Sequence, residues 1–302
     1  LNTGTIGFQI APRINAAGRM DHANVAYALF TTKDPIEAIN LAFQLEQNNK
    51  DRQACVEDIL KVAIAQAEEQ TTSPILFVCG KGWLTGVVGL VASRLKERYN
   101  KPTFAMADHE GEIVGSGRSV DGFNMVEAIQ QIPQVFAKFG GHPMACGFTL
   151  REGGNVAEFR EAILPLFEAQ TRGKDMIAKF AIDAELSWSE VTLSLYDTLS
   201  RFEPFGKDNE RPKYLSRGLT VQSVKSMGKS ANHITLMLSD HTKKICKTVG
   251  WNMCSEKSET NWCTTLQKGD KVDIVYEVDI NEWNGNRDLQ LLIIDLRKSD
   301  ML

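Results

Sequence analysis

No apolar run in the 302-residue sequence approaches the roughly 18 residues of a membrane-spanning helix. The first residues, Leu1-Asn2-Thr3-Gly4, have no initiator Met and no basic-then-apolar signal pattern, as expected of an internal fragment or a trimmed chain. The six cysteines, Cys55, Cys79, Cys146, Cys246, Cys254 and Cys263, contain no C-x-x-C pair. Scattered in this way, they are expected as reduced thiols of a cytoplasmic protein, not as a disulfide or zinc framework. The glycines Gly80, Gly82, Gly86 and Gly89 miss the dinucleotide fingerprint, because Thr85 stands where its third glycine belongs, and no Walker Gly-Lys-Ser/Thr follows. Positive charge is not in excess either: the net charge of −4 argues against a generally adhesive nucleic-acid binder.

What is present divides the chain. The 43% hydrophobic content can fill real cores, and at roughly 100–200 residues per domain the length points to two domains. Residues 34–70 read as one long helix, with Asp34 as its cap, Pro35 at the first helical position and Glu37 three residues on. Ile36, Ile39 and Phe43, then Val56, Ile59, Leu60 and Ala63, recur at helical spacing around the polar middle Gln47-Asn48-Asn49-Lys50. Such a helix is expected to connect bodies instead of sitting in one core. From residue 73, strands at 74–79, 103–107, 112–115 and 148–150 alternate with helices at 86–99, 125–132 and 155–169. Beyond residue 175 the pattern turns β-rich, with strands at 179–187, 219–225, 233–239, 244–251, 271–283 and 287–296 and a helix at 193–202. Asn284-Gly285 between the last two strands is a strong hairpin signal. The fold class is therefore α/β plus β: a connecting helical segment (1–72), a small α/β domain (73–172) and an OB-like barrel domain (173–302), a type that commonly binds single strands.

Three sets of residues suit an anion. In Phe139–Phe148, Gly140 and Gly141 deliver His142 and Gly147 follows, suggesting a tight turn whose free N–H groups can hold a phosphate oxygen. A packed histidine beside a Gly-Gly turn fits these residues equally. In Ala11–Arg19, Arg13, Asn15 and Arg19 lie among small residues; in Gly115–Ser119, Ser116, Arg118 and Ser119 lie among glycines. Arginine forks match phosphate oxygens, and hydroxyls complete the shell. Turn chemistry and capping explain each set alone, but phosphate recognition explains the three jointly. The glycines at 80–89 suit either an anion at a helix N-terminus or close helix–strand packing. Residues 211–247 carry eight Lys and Arg against one acid, Asp240. That stretch reads as a phosphate track or as a solvated strand face. His233, Trp251, Tyr276 and Trp283 are available to stack on bases, or to fill a core.

Taken together, Pro12–Arg19, Gly82–Arg94, Gly115–Ser119 and Phe139–Gly147 resemble the RecJ family of single-strand-specific DNA exonucleases. The Gly-Gly-His block resembles the hallmark of the DHHA1 domain in DHH phosphoesterases. Phe202-Glu203-Pro204-Phe205-Gly206 with Asn209 and Pro212, and Asn281–Gly285, resemble that family's C-terminal OB-like domain, so the likeness covers nearly the whole chain. It departs at Leu84-Thr85, where the family often has a His and a polar residue, and at Cys146, in place of a usual Ala.

The resemblance implies the substrate-binding C-terminal part of a 5′-to-3′ single-stranded-DNA exonuclease of DNA repair and recombination. The alternative is a non-catalytic RecJ-like single-strand-binding or scaffold protein. It implies Mn2+ or Mg2+ held by Asp and His of a preceding DHH domain. Here Asp-His occurs at 21–22, 108–109 and 240–241 but Asp-His-His never, so no metal ligand is expected in this chain, which alone should be inactive. Arg118, Ser116 and Ser119, with Arg13, Asn15 and Arg19, are implied to grip the phosphate at the 5′ end. His142, the catalytic member, and the Gly140-Gly141 backbone are implied to hold the scissile phosphate. Lys225, Lys229, His233, Lys243, Lys244 and Trp283 are implied to hold the strand on the barrel. The implied partners are the 5′ end of single-stranded DNA, a single-strand-binding protein and a helicase, with no membrane.

Overall fold

The computed structural model describes residues 3–20, 22–174, 176–177, 179, 181–255, 260–283 and 285–299. They form two compact units, Leu1–Ala178 and Lys179–Leu302.

In the first unit a π-helical stretch, Thr5–Ile10, runs into α1 (Ala11–Met20), followed by α2 (Asn24–Thr31), α3 (Pro35–Glu68) and α4 (Thr85–Tyr99). Helix α3 starts where Asp34 accepts a hydrogen bond from the Ile36 amide at 2.9 Å and Pro35 needs no acceptor. Its first half buries Leu45 beside Ala17 and Ala26 of α1 and α2. Its second half gives Val56, Ile59, Ala63 and Ala67 to a core shared with α4. The helix read as a connector lies within one unit and packs from Leu45 onward, whereas Ile36, Ile39 and Phe43 of its first turns are exposed.

Five strands, β1 (Leu76–Lys81), β2 (Thr103–His109), β3 (Glu112–Arg118), β4 (Phe136–His142) and β5 (Ala145–Leu150), form a sheet in the order β1-β2-β3-β5-β4. β1 and β2 run parallel across the α4 crossover, and the other pairs are antiparallel. Alternation sends Leu76, Val78, Ala105 and Ala107 to α3 and α4, and Phe77, Phe104 and Met106 to the opposite face. There α5 (Met125–Gln130) and α6 (Val156–Thr171) complete the core. Phe104 meets Phe148 and Phe159 at ring distances of 5.8 and 4.8 Å. Each such ring contributes about 2 kcal/mol by leaving water. The β1 edge is sealed by glutamines of the α3 end: Gln66 donates to the Cys79 carbonyl and accepts from its amide at 2.8 and 2.9 Å. Gln70 does the same for Phe77 at 2.8 and 3.1 Å. These side chains stand in for a neighbouring strand.

β4 corrects the sequence reading of Phe139–His142 as a turn. Its glycines carry no strand propensity, but Phe139, Gly140 and Gly141 pair with Phe148, Gly147 and Cys146, and that pairing decides their state. The turn lies after His142, between β4 and β5.

The second unit contains β6 (Ala184–Glu185), α7 (Leu193–Leu199), β7 (Tyr214–Met227), β8 (His233–Ser239), β9 (Ile245–Gly250), α8 (Trp262–Thr265), β10 (Lys271–Trp283) and β11 (Asn286–Lys298). The ring β7-β8-β9-β11-β10 closes on β7, with β9 and β11 parallel, and gives a five-stranded barrel of OB type. Leu219, Val221, Ile234, Leu236, Ile274 and Leu291 fill it. The strand expected over 179–187 shrinks to β6, which among the described residues pairs only with β7; Phe180 lies outside the described residues. The helix expected to Phe202 ends at Leu199 in a 3-10 turn, Ser200–Phe202. Asn209 then donates to the carbonyls of Phe202 and Pro204 at 3.0 and 2.9 Å, a structural use for that motif. Asn284 of the expected hairpin turn lies outside the described residues.

The cysteine reading needs correction. Cys254 and Cys263 form a disulfide. Hydrogen bonds from the Cys254 amide to Asn232 and from the Trp262 amide to Met253 fold the connection back and leave the two Cα atoms 5.1 Å apart. Spacing alone concealed the pair, and for these two residues the reduced-thiol argument no longer holds. Cys55, Cys79, Cys146 and Cys246 are free.

Candidate phosphate-binding site

The site grows from the alternation of β3. Gly115 and Gly117 face the ring layer with no space for a side chain: a Cβ would come within 2.3 Å of Phe148 at the first and of Met125 at the second. Ser116 and Arg118 therefore face the other way, toward α4. Gly89 of α4 makes room for them, since a Cβ there would sit 2.8 Å from Arg118 Nη2 and 3.3 Å from Ser116 Oγ. Arg118 Nη1 donates to the Gly117 carbonyl at 2.7 Å. Burial pushes the Arg118 guanidinium below its usual pKa; the buried Cys146 thiol acts the other way, and Arg19 adds to the lowering.

Arg19 comes from the end of α1. The chain there lies so close to α4 that a Cβ on Gly86 would meet the Arg19 carbonyl at 2.1 Å, and Arg19 Nη1 donates to the Gly86 carbonyl at 3.0 Å. Close packing thus explains Gly86, and Gly80 likewise, where a Cβ would meet the Trp83 indole at 2.0 Å. At Gly89 the space is filled by cationic and hydroxyl groups. One residue absent from the sequence reading lies nearby. Arg52 of α3 donates from Nη2 to Asn49 Oδ1 at 2.9 Å, and its buried Nε has no partner. Burial first, then the charges of Arg19 and Arg94, depress its pKa. Among the described residues, none of Arg19, Arg52, Arg94 and Arg118 has a carboxylate within ion-pair distance. Arg52 carried no signal of its own in the sequence, two residues beyond the polar middle Gln47-Asn48-Asn49-Lys50.

The register brings the Gly-Gly-His segment alongside. Arg118 lies opposite Ala145 and Ala145 opposite His142; Ser116 lies opposite Gly147 and Gly147 opposite Gly140. Directly opposed residues of antiparallel strands share a face. His142 and Arg118 therefore lie on one face at the same end of the sheet, two strands or about 10 Å apart. His142 is exposed. Gly141, at φ 151°, is demanded by the hairpin, because a Cβ would meet the Ala145 carbonyl at 2.3 Å. Gly140 and Gly147 are different: nothing lies within 4 Å of a Cβ at either, so the fold does not require glycine there. Their bareness leaves open floor beside Ser116.

Other expected members are placed elsewhere or already engaged. Arg13 donates from Nε to Glu46 at 2.6 Å and from Nη1 to the Gln9 carbonyl at 2.5 Å. The hydroxyl of Ser119, a buried residue, donates to the Phe123 carbonyl at 2.6 Å. Asn15 is exposed on α1.

On the barrel, Tyr276 is fully buried, with its hydroxyl 2.9 Å from Ser216 Oγ and its pKa driven up by burial, so it belongs to the core and not to a stacking surface. Lys244 Nζ donates to the carbonyls of Trp188 and Val191 at 3.0 and 2.7 Å. Lys225, Lys229 and Lys243 are exposed. His233 and the exposed Trp251 meet edge to face at 4.9 Å. Trp283 closes β10, and its side chain lies outside the described part. Among the described residues no group of three His, Cys, Asp or Glu side chains could hold a metal ion. No described helix is long and apolar enough to cross a membrane.

With this geometry in place, comparison with known proteins is informative. Residues 56–169 match the DHHA1 domain and residues 182–295 the RecJ OB domain. The chain is 32% identical to the single-stranded-DNA-specific exonuclease RecJ of Bacillus subtilis, over 99% of this chain and 37% of that protein. It is 30% identical to the Salmonella typhimurium RecJ, over 98% of this chain and 52% of that one. It thus spans between about a third and a half of these relatives. A crystal structure of RecJ from Thermus thermophilus in complex with Mn2+ matches with a TM-score of 0.77 at 27% identity, covering 100% of this chain and 42% of that one. The Mg2+ complex of RecJ from that organism matches at a TM-score of 0.76 and 26% identity, covering 99% and 44%.

Proposed function

The chain belongs to the RecJ family, and we propose that it is the substrate-binding portion of a 5′-to-3′ single-stranded-DNA exonuclease acting in DNA repair and recombination. The observation that carries this reading is the cationic cluster at the end of β3. There Arg118 and Ser116 face Gly89, with Arg19 beside them and no carboxylate neutralising the guanidinium groups among the described residues. A terminal phosphate monoester fits it. The Arg118 fork meets two phosphate oxygens, and the Ser116 hydroxyl donates to a third.

Holding the end fixes both polarity and register, because the next phosphodiester then lies at a set distance along the strand. On this reading His142 meets the scissile phosphate from the same face of the sheet. The bare backbone of Gly140 and Gly147 lets the strand lie against the floor between them. The barrel holds the strand beyond through Lys225, Lys229 and Lys243 and the His233–Trp251 pair. Among the described residues no cluster of side chains fits a divalent metal. In the whole protein, Mn2+ or Mg2+ would activate the attacking water from ligands outside these 302 residues. A single-strand-binding protein and a helicase are the protein partners proposed with it.

The test uses the purified 302-residue chain, a 5′-phosphorylated single strand and manganese. The strand is bound and remains uncut. Robust manganese-dependent degradation by this chain would refute the division of labour.

A further inference from the structure

The disulfide between Cys254 and Cys263 is not part of a framework, because Cys55, Cys79, Cys146 and Cys246 are free. Nor does it replace a missing core, the usual reason for cross-linking a small domain, since apolar side chains fill the barrel. It joins two short pieces that flank the strands. One is the turn after β9, which carries Trp251, 54% exposed, and the buried Cys254. The other is α8, a single helical turn that starts where Asn261 accepts from the Cys263 amide at 3.1 Å and leads into Leu266 in the barrel core. The turn after β9 is tied to the start of β8 by two hydrogen bonds. The Cys254 amide donates to the Asn232 carbonyl and the Asn252 amide to His233 Nδ1, both at 2.9 Å. These bonds set the edge-to-face contact of Trp251 with His233. The disulfide adds an anchor from that turn through α8 to the core, and so restricts the pair before a strand arrives. Cys263 is half-buried and open to a small thiol, whereas Cys254 is buried.

We propose that Cys254–Cys263 is a thiol–disulfide exchange site that takes a small dithiol, and that its two states set the affinity of the barrel for single strands. One thiolate of the dithiol attacks Cys263 Sγ, and the electron pair of the S–S bond leaves on Cys254 Sγ, which takes up a proton. The second thiolate of the dithiol then displaces Cys263 Sγ, which takes up a proton in its turn. The protein gains two electrons and two protons, and the dithiol loses them as it closes to a cyclic disulfide. In the reduced state the turn keeps its hydrogen bonds but loses its anchor to α8. Each strand that binds must then order Trp251 and His233, which costs affinity. The latch rests on the reading of the His233–Trp251 pair as a holder of the strand and adds a control to it.

The experiment compares the 302-residue chain, purified without reductant, before and after dithiothreitol under native conditions. Counting thiols after removal of the reagent and denaturation gives four in the first state and six in the second. Affinity for a 5′-hydroxyl single strand, which makes no use of the end-phosphate residues, falls about tenfold on reduction and returns on reoxidation. The double variant Cys254→Ala, Cys263→Ser binds like the reduced parent, with or without dithiothreitol. Far-ultraviolet circular dichroism separates a merely structural role, because the sheet signal is the same in both states of the parent. The latch is overturned if the count stays at four under dithiothreitol or is already six without it. It is equally overturned if reduction removes the sheet signal, if affinity is equal in the two states, or if the double variant still responds to dithiothreitol. Failure of the strand-holding reading looks different: Trp251→Ala then binds like the oxidised parent, and the latch falls with that reading. If only the latch is wrong, Trp251→Ala weakens binding and reduction does not.

Discussion

The arginines around β3 in the first unit and those of the barrel in the second are used in opposite ways. In the first, Arg19, Arg52, Arg94 and Arg118 gather among glycines and a serine with no carboxylate partner among the described residues. In the second, Arg211 lies within 3.7–3.8 Å of Glu203, Glu277 and Asp279, and Arg217 pairs with Glu185. Arg217 and Arg297 also share the buried Asp273. The run of eight basic residues at 211–247 is therefore less cationic in space than in sequence: Arg211, Arg217, Lys213 and Lys244 are held by the barrel itself. A charge matters to a polyanion only where the fold leaves it unanswered.

The largest effect expected of breaking this contrast is at Asp273. Its carboxylate accepts from Ser299 at 2.7 Å, from the Gly218 amide at 3.0 Å and from Arg297 at 3.0 Å. Asp273→Ala destabilises the second unit by about 2–3 kcal/mol in chemical denaturation, without touching end recognition. Burial alone would raise the Asp273 pKa, but the bonds from Ser299, Gly218 and Arg297 outweigh it and hold the carboxyl below its usual 3.8. Its contribution is thus present above the ordinary carboxylate range and lost as pH falls through the depressed folded value, so the gap between parent and variant closes in strong acid.

A smaller effect belongs to Gly89. Gly89→Ala pushes a methyl into Arg118 and Ser116. It weakens binding of a 5′-phosphorylated strand about tenfold, or about 1.4 kcal/mol. Helix propensity alone favours the alanine by about 1 kcal/mol, so any fall in melting temperature is small compared with the binding loss. A variant that binds normally would mean that the Gly89 space serves packing alone.

The smallest effects sharpen the contrast within the barrel. Lys244→Ala removes two hydrogen bonds to carbonyls and costs about 1 kcal/mol of stability. Exposed Lys225→Ala changes stability by less than about 0.5 kcal/mol and lowers the salt slope of binding by about one. The reverse pattern would show that the fold uses Lys225 and the strand uses Lys244.

Much of the framework could be read in the sequence because periodicity is local. The Asp34 cap, α3, α4 and most barrel strands follow from spacing that neighbours alone enforce. β4 was missed because glycine has no side chain to alternate, and its strand state comes from β5. The Cys254–Cys263 disulfide depends on how a connection folds back, which no spacing encodes. At the site, that Ser116 and Arg118 share one face of β3 was legible from the alternating glycines Gly115 and Gly117. Arg13 and Ser119 were not, because their partners Glu46 and Phe123 are supplied by folding. Asn49 looked like part of a solvated waist and Arg52 carried no signal, and only the approach of α1 and α4 gives that stretch of the helix neighbours.

The central claim is that unanswered charge at the end of β3 reads the end of a strand. It is tested most directly by the ratio of affinities for 5′-phosphorylated and 5′-hydroxyl single strands, in the parent chain and in Arg118→Ala. The account predicts that the parent prefers the phosphate and that the variant loses about 1–3 kcal/mol of binding and the preference with it. An undiminished preference in Arg118→Ala would contradict it.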